Sequence, residues 1–317
     1  MQIVLASEID SLPITESVAS VGNFDGVHRG HDLLIRDVKT RAQALHYKSV
    51  IVTFEPHTRA VLFPDAPQPI LSTFEEKAIL MQHYGVDYLI CLPFDRSIAE
   101  MPAEAFVKNI MVRKLKARQW VMGEGHAFGK NQSGSKNFPH TSKGKNDIYM
   151  ITAQPMILNG RVISSTEIRL NIVEGRIEDA VMMLGHPYLL VSQRISGLKK
   201  GTQLGYPTLN FTSPPSSKVL PPPGIYAAEV EFGERRWKGA LYFGDCPTFG
   251  NRDRHFEFHA FDFSGIEPRE GASANLWLHS RVRADRAFKD AAELTASIKR
   301  DIENITYFFS QEKEQCQ

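Results

Sequence analysis

The spacing of apolar residues changes period near residue 186, and that change divides the chain between two architectures. Before it, short β-branched runs alternate with helical stripes. VASVG (18–22), SVIVTFEP (49–56), VDYLICLPF (86–94) and ARQWVMG (117–123) read as buried strands. Between them, 31–45, 74–85 and 102–116 carry helical spacing, with Leu34, Val38, Ala42 and Leu45 forming the first stripe. Strands that alternate with helices imply a parallel sheet with helices on both faces. After a last helix, VEGRIEDAVMMLG, the texture changes. PPPGIYAAEVEF (221–232), RWKGALYFG (236–244), HFEFHAFDF (255–263) and ANLWLHSRV (274–282) alternate as half-buried strands do, between Gly- and Pro-rich turns. This predicts an antiparallel β-barrel, followed by an amphipathic helix over 290–309.

With 317 residues, the chain has length for two domains, expected at 1–185 and 186–317. A net charge of +1 argues against a nucleic-acid surface. Cys91, Cys246 and Cys316 are too scattered for a disulfide framework or a zinc pattern. The start, MQIVLASEID, lacks the basic region of a signal peptide, and no apolar run approaches the ~20 residues of a membrane span. These features set the expectation of a cytoplasmic protein with small-molecule partners, no membrane or nucleic-acid partner and no obligate protein partner.

The stretch GNFDGVHRGH (22–31) lies where the first of these strands gives way to a helix. Strand ends are where open α/β sheets bind ligands. A helix N-terminus offers free N–H groups and a positive dipole to an anion. His28 and His31, three residues apart around Gly30, add two imidazoles to one helical face. Such donors suit charge that builds on phosphorus during in-line attack. No P-loop pattern occurs and no nucleophilic Ser or Cys accompanies the pair, so the chemistry points to nucleotide use without a P-loop. Read alone, the pair is as well explained as an ordinary polar first turn.

Here the sequence resembles a family. GNFDGVHRGH is similar to the H-x-G-H signature of nucleotidyltransferases and to the opening motif of prokaryotic bifunctional riboflavin kinase/FAD synthetases. TFEPH (53–57), LPFD (92–95) and ISSTEIR (163–169) resemble that family's later motifs, in order. The resemblance implies an α/β Rossmann-like nucleotidyltransferase domain over 1–185 that transfers AMP from ATP to FMN, giving FAD and pyrophosphate. It implies that His28 and His31 hold the ATP phosphates, that Asn23, Phe24, Asp25 and Gly26 shape the nucleotide loop with Gly30, and that Ser164, Ser165, Thr166 and Arg169 face the triphosphate.

It also implies a β-barrel riboflavin-kinase domain with a C-terminal helix over 186–317. GYPTLNF (205–211) resembles the kinase motif P-T-x-N, preceded by Gly201 and Gly205 and including Pro207. Thr208 and Asn210, two apart on a strand, face the same side and suit a Mg²⁺ that bridges ATP phosphates. By resemblance, Glu257 is the base for the riboflavin 5′-hydroxyl. On a strand Phe256 and Phe258 point one way while Glu257 and His255 point the other, and bulky apolar flanks suit the raised pKa such a base wants. The expected ligands are therefore ATP, Mg²⁺, riboflavin, FMN and FAD.

Three stretches depart from the family pattern. GEGHAFG (123–129) has Gly125 and His126 where an acidic or amide residue and a Phe are usual. Thr202 stands where an arginine is usual, beside Lys199 and Lys200, and SGIEPREGA (264–272) lacks an expected aromatic. Retention of only one activity, or a non-catalytic flavin-binding paralogue, is the alternative these departures raise.

Overall fold

In the computed structural model, residues 1–134, 148–158, 160–197, 201, 205–244, 255–263 and 267–315 are described. The chain forms two compact units, Met1–Ser165 and Thr166–Gln317.

The first unit is built on six parallel strands: β1 (Gln2–Leu5), β2 (Ser17–Val21), β3 (Lys48–Glu55), β4 (Tyr88–Pro93), β5 (Ala117–Gly123) and β6 (Tyr149–Ala153), in the order β1-β4-β3-β2-β5-β6. Every residue of β2 is buried, as expected of a strand covered on both faces. Between the strands run α1 (Arg29–Leu45), α2 (Thr58–Leu62), α3 (Phe74–Gln82), α4 (Arg96–Ala99) and α5 (Ala103–Phe106). The stripe of α1 holds at Val38 and Ala42 and differs at its ends. Ile35, Val38 and Ala42 are buried, while Leu45 is exposed. The predicted helix over 102–116 starts as α5 but widens into π-helical turns over Val107–Lys114, with Val107, Ile110 and Met111 facing the core. The short apolar run at the N-terminus is β1, paired with β4 at the edge of the sheet.

The strand order places the site. From β2 the chain steps to β3 on one side and later returns to β5 on the other. The carboxyl end of β2 is therefore a switch point, where neighbouring connections leave in opposite directions and open a crevice. Residues 22–31 occupy that end.

After the β7–β8 hairpin (Ile157–Leu158, Arg161–Val162), the second unit carries α6 (Ser165–Val173, begun at the last residue of the first unit), α7 (Ile177–Leu184) and a closed antiparallel barrel. Its strands are β9 (Tyr188–Ile195), β10 (Leu209–Phe211), β11 (Gly224–Phe232), β12 (Arg235–Gly244), β13 (His255–Ala260) and β14 (Ser273–Ala284), in the order β10-β13-β12-β11-β14-β9. Closure follows because β10 pairs with both β13 and β9. Tyr226, Leu241, Phe243, Phe256, Phe258 and Leu276 are fully buried in this unit. The last helix, α8 (Ala291–Gln315), packs Ile305 and Phe309 against Ala227. A bidentate Arg283–Asp301 pair, at 3.0 and 2.8 Å, fastens it to β14.

Candidate active sites

The loop after β2 is fastened from within. Asp25, 2% exposed, accepts the backbone N–H groups of Leu71 and Ser72 at 2.9 and 3.0 Å through Oδ1. Ser72 Oγ accepts the Gly26 N–H at 2.8 Å. Asn23 donates from Nδ2 to Thr58 Oγ1 at 2.9 Å and accepts the Thr58 N–H at 3.3 Å, so its amide ties the loop to the start of α2. Its carbonyl accepts the Thr53 hydroxyl at 3.1 Å. These ties hold Phe24 and Val27 at φ of 46° and 41°. For Val, a β-branched residue, that conformation is strained and is kept only where the surroundings fix it.

The two imidazoles meet at the start of α1. His28 is the N-cap, and its Nδ1 accepts the His31 N–H at 3.4 Å. The rings stack at 3.6 Å and 17°. Phe24 meets His31 edge-on at 5.1 Å. A Cβ on Gly30 would come within 3.1 Å of the His28 ring, so a side chain there would crowd the stack. Burial, then the neighbouring His28 and Lys77, hold the His31 imidazole well below its ordinary pKa. The pair therefore presents a neutral His31 beside a His28 whose Nδ1 is an acceptor, each with one N–H donor. His31 Nδ1 is buried with no hydrogen-bond partner among the described residues.

Ser165 Oγ donates to the Asp25 carbonyl at 3.0 Å, which joins the ISSTEIR segment to the loop. Ser164 precedes it, and Thr166 and Arg169 continue the motif on α6 in the second unit, where Arg169 is buried.

At the departure GEGHAFG, a Cβ on Gly125 would meet nothing within 4 Å. His126 takes an aromatic's place. It meets Trp120 edge-on at 6.0 Å and stacks on Phe128 at 6.2 Å. Burial lowers its pKa to about 4, so the ring is neutral at pH 7, and its Nε2 has no partner among the described residues.

In the barrel, strand register assembles the polar group. Asn210 on β10 lies opposite Glu257 on β13. Thr208 Oγ1 donates to Glu257 Oε2 at 3.3 Å. Phe256 and Phe258 are buried on the opposite face of β13, Phe256 stacking on Phe243 at 4.5 Å. The apolar flank expected around Glu257 is thus turned inward, and the carboxylate faces Thr208 instead. A Cβ on Gly201 would strike the Tyr206 carbonyl at 2.3 Å, so only glycine fits there. Gly205 turns the chain at φ 85°. The Pro207 carbonyl accepts from His259 Nδ1 at 2.9 Å.

Sequence reasoning missed His259, two residues beyond Glu257, which anchors the turn before Thr208. It also missed Gly197, where a Cβ would overlap the Asn210 amide at 2.0 Å. Lys199, Lys200 and Thr202 lie outside the described residues.

Two family models match this chain. The FAD synthetase model covers residues 12–167 and the riboflavin kinase model covers residues 184–309. This chain belongs to the bifunctional riboflavin kinase/FAD synthetase family. Family members named "Bifunctional riboflavin kinase/FMN adenylyltransferase" align along almost their whole length. That of Escherichia coli K12 is 28% identical over 302 residues, 95% of each chain. That of Bacillus subtilis 168 is 29% identical over 300 residues, 93% of each. That of Buchnera aphidicola (Schizaphis graminum) is 28% identical over 301 residues, 93% of this chain and 95% of the relative. A crystal structure described as a macrolide-efflux protein from Streptococcus pneumoniae aligns with a TM-score of 0.83 at 24% identity, over 97% of this chain and 99% of that one. That likeness concerns the fold. Among the described residues, no helix is long and apolar enough to cross a membrane.

Proposed function

We propose that this family member makes FAD from riboflavin in two ATP-dependent steps, with riboflavin kinase chemistry in residues 186–317 and FMN adenylyltransfer in residues 1–185. The observation that carries this reading is the presence of both family domains in one chain, each with a convergent polar group at its core.

In the kinase step, Glu257 accepts the proton of the riboflavin 5′-hydroxyl. That oxygen attacks the γ-phosphorus of ATP, and ADP leaves with the bridging oxygen. Thr208 and Asn210 supply hard oxygen ligands of the kind Mg²⁺ takes, and the phosphates supply the others. When bound, the ion neutralises charge on the transferred group. The Thr208–Glu257 contact and the Asn210–Glu257 register support this grouping. Gly201, Gly205 and Pro207 set the turn that delivers Thr208.

In the second step an FMN phosphate oxygen attacks the α-phosphorus of ATP and pyrophosphate leaves. His28 and His31 donate to the phosphate oxygens at the N-terminus of α1, where the dipole adds to their effect. The orphaned His31 nitrogen and the stacked pair support this role.

Incubation with riboflavin, ATP and Mg²⁺, followed by chromatographic separation of the flavins, tests the reading. FMN followed by FAD is expected, and failure to form either product overturns it. Supplying FMN in place of riboflavin isolates the second step.

A further inference from the structure

A charged side chain that neither step uses lies beneath the first site. Lys77 sits on α3 and is 1% exposed. The other buried residues after it on that helix, Ala78, Leu80 and Met81, are apolar. Its Nζ donates to Thr53 Oγ1 at 3.4 Å, and Thr53 in turn donates to the Asn23 carbonyl at 3.1 Å. A directional chain therefore runs from the ammonium, through a fully buried hydroxyl, to the backbone of the nucleotide loop.

The ammonium has no ion-pair partner among the described residues. Asp25, Glu55 and Glu76 attract it from a distance, Cys91 lies on its β4 side, and His31 feels its charge from α1. Asp25 takes its two backbone donors, from Leu71 and Ser72, on Oδ1. Taking an ammonium out of water carries a desolvation cost. Packing alone would be met better by Met or Leu at this position. Burial accordingly pulls the Lys77 pKa down.

We propose that Lys77 is a positioning residue of the adenylyltransfer site, a buried cation that holds the Gly22–Gly26 loop through Thr53. This rests on the adenylyltransfer reading above. It assigns Lys77 no contact with substrate. Its effect passes through the position of the Asn23 carbonyl and through the charge state of the histidine pair.

The test uses the full chain with Lys77→Met, which keeps the bulk and removes the charge, and Thr53→Val, which breaks the chain while leaving the charge in place. Lys77→Met is expected to lower kcat/KM for ATP in FAD formation ~10–100-fold, with riboflavin phosphorylation in the same protein unchanged. His31, followed by NMR, is expected to titrate at least ~0.5 pH unit higher. Thr53→Val is expected to lower FAD formation several-fold with the His31 titration in place. Wild-type FAD formation in either variant, or an unmoved His31 titration in Lys77→Met, overturns the proposal. If the wild-type chain makes no FAD from FMN, the adenylyltransfer reading fails, while the His31 titration still reports on Lys77 by itself.

Discussion

The two sites are held by different means. After β2, the functional groups sit on an irregular loop whose shape depends on buried side chains from distant parts of the chain. Asp25 reaches Leu71 and Ser72, Asn23 reaches Thr58, and Thr53 reaches back to Asn23. In the barrel, ladder register alone sets Asn210 opposite Glu257, and one turn anchored by His259 brings Thr208 to the carboxylate. Where side chains hold a site, its residues carry stability and function together. Where register holds it, the ladder rather than the site side chains fixes the geometry. Substitutions in the first site should therefore cost folding energy as well as rate, and those in the second should cost rate alone.

The sharpest contrast comes from Glu257→Gln. Losing the base should slow riboflavin phosphorylation ~10²–10⁴-fold, with the melting temperature and FAD formation from added FMN unchanged. A shifted melting temperature would show that the carboxylate also holds the barrel. His28→Ala should lower FAD formation from FMN ~10²–10³-fold and leave the kinase step intact. It should also cost ~1 kcal/mol of stability from the lost N-cap, readable by urea denaturation. Asp25→Ala leaves two buried N–H groups without their acceptor and should cost about 2–4 kcal/mol, with the loss in urea confined to the first unit. An equal loss on removing Asn210 would erase the contrast.

The smallest effect at neutral pH belongs to His126. Its folded pKa lies near 4, against about 6.5 for an exposed imidazole, so the folded state keeps the ring neutral. The stability this contributes is present above pH ~6.5 and is lost as pH falls toward 4, up to ~3 kcal/mol in all. His126→Phe should leave the melting temperature at pH 7.5 nearly unchanged and flatten its fall between pH 6.5 and 4.5.

Much of this was legible in the sequence because it rests on local pattern. Period-2 and period-3.6 spacing identify the parallel sheet and the barrel, and GNFDGVHRGH marks its own strand end. What was not legible depends on direction. Glu76 and Lys77 look like a solvated pair in FEEKAILMQ, yet both are buried, because the face of α3 that meets β3 cannot be read from one short helix. By contrast, strand alternation in the sequence already set Phe256 and Phe258 on the face opposite Glu257.

The central claim is that one chain holds two separable active sites. Mixing the Glu257→Gln and His28→Ala variants with riboflavin, ATP and Mg²⁺ tests it most directly. Alone, the first should leave riboflavin unchanged and the second should stop at FMN, while the mixture should carry riboflavin through to FAD. A mixture that accumulates FMN without FAD, while wild-type protein completes both steps, would contradict two independent sites.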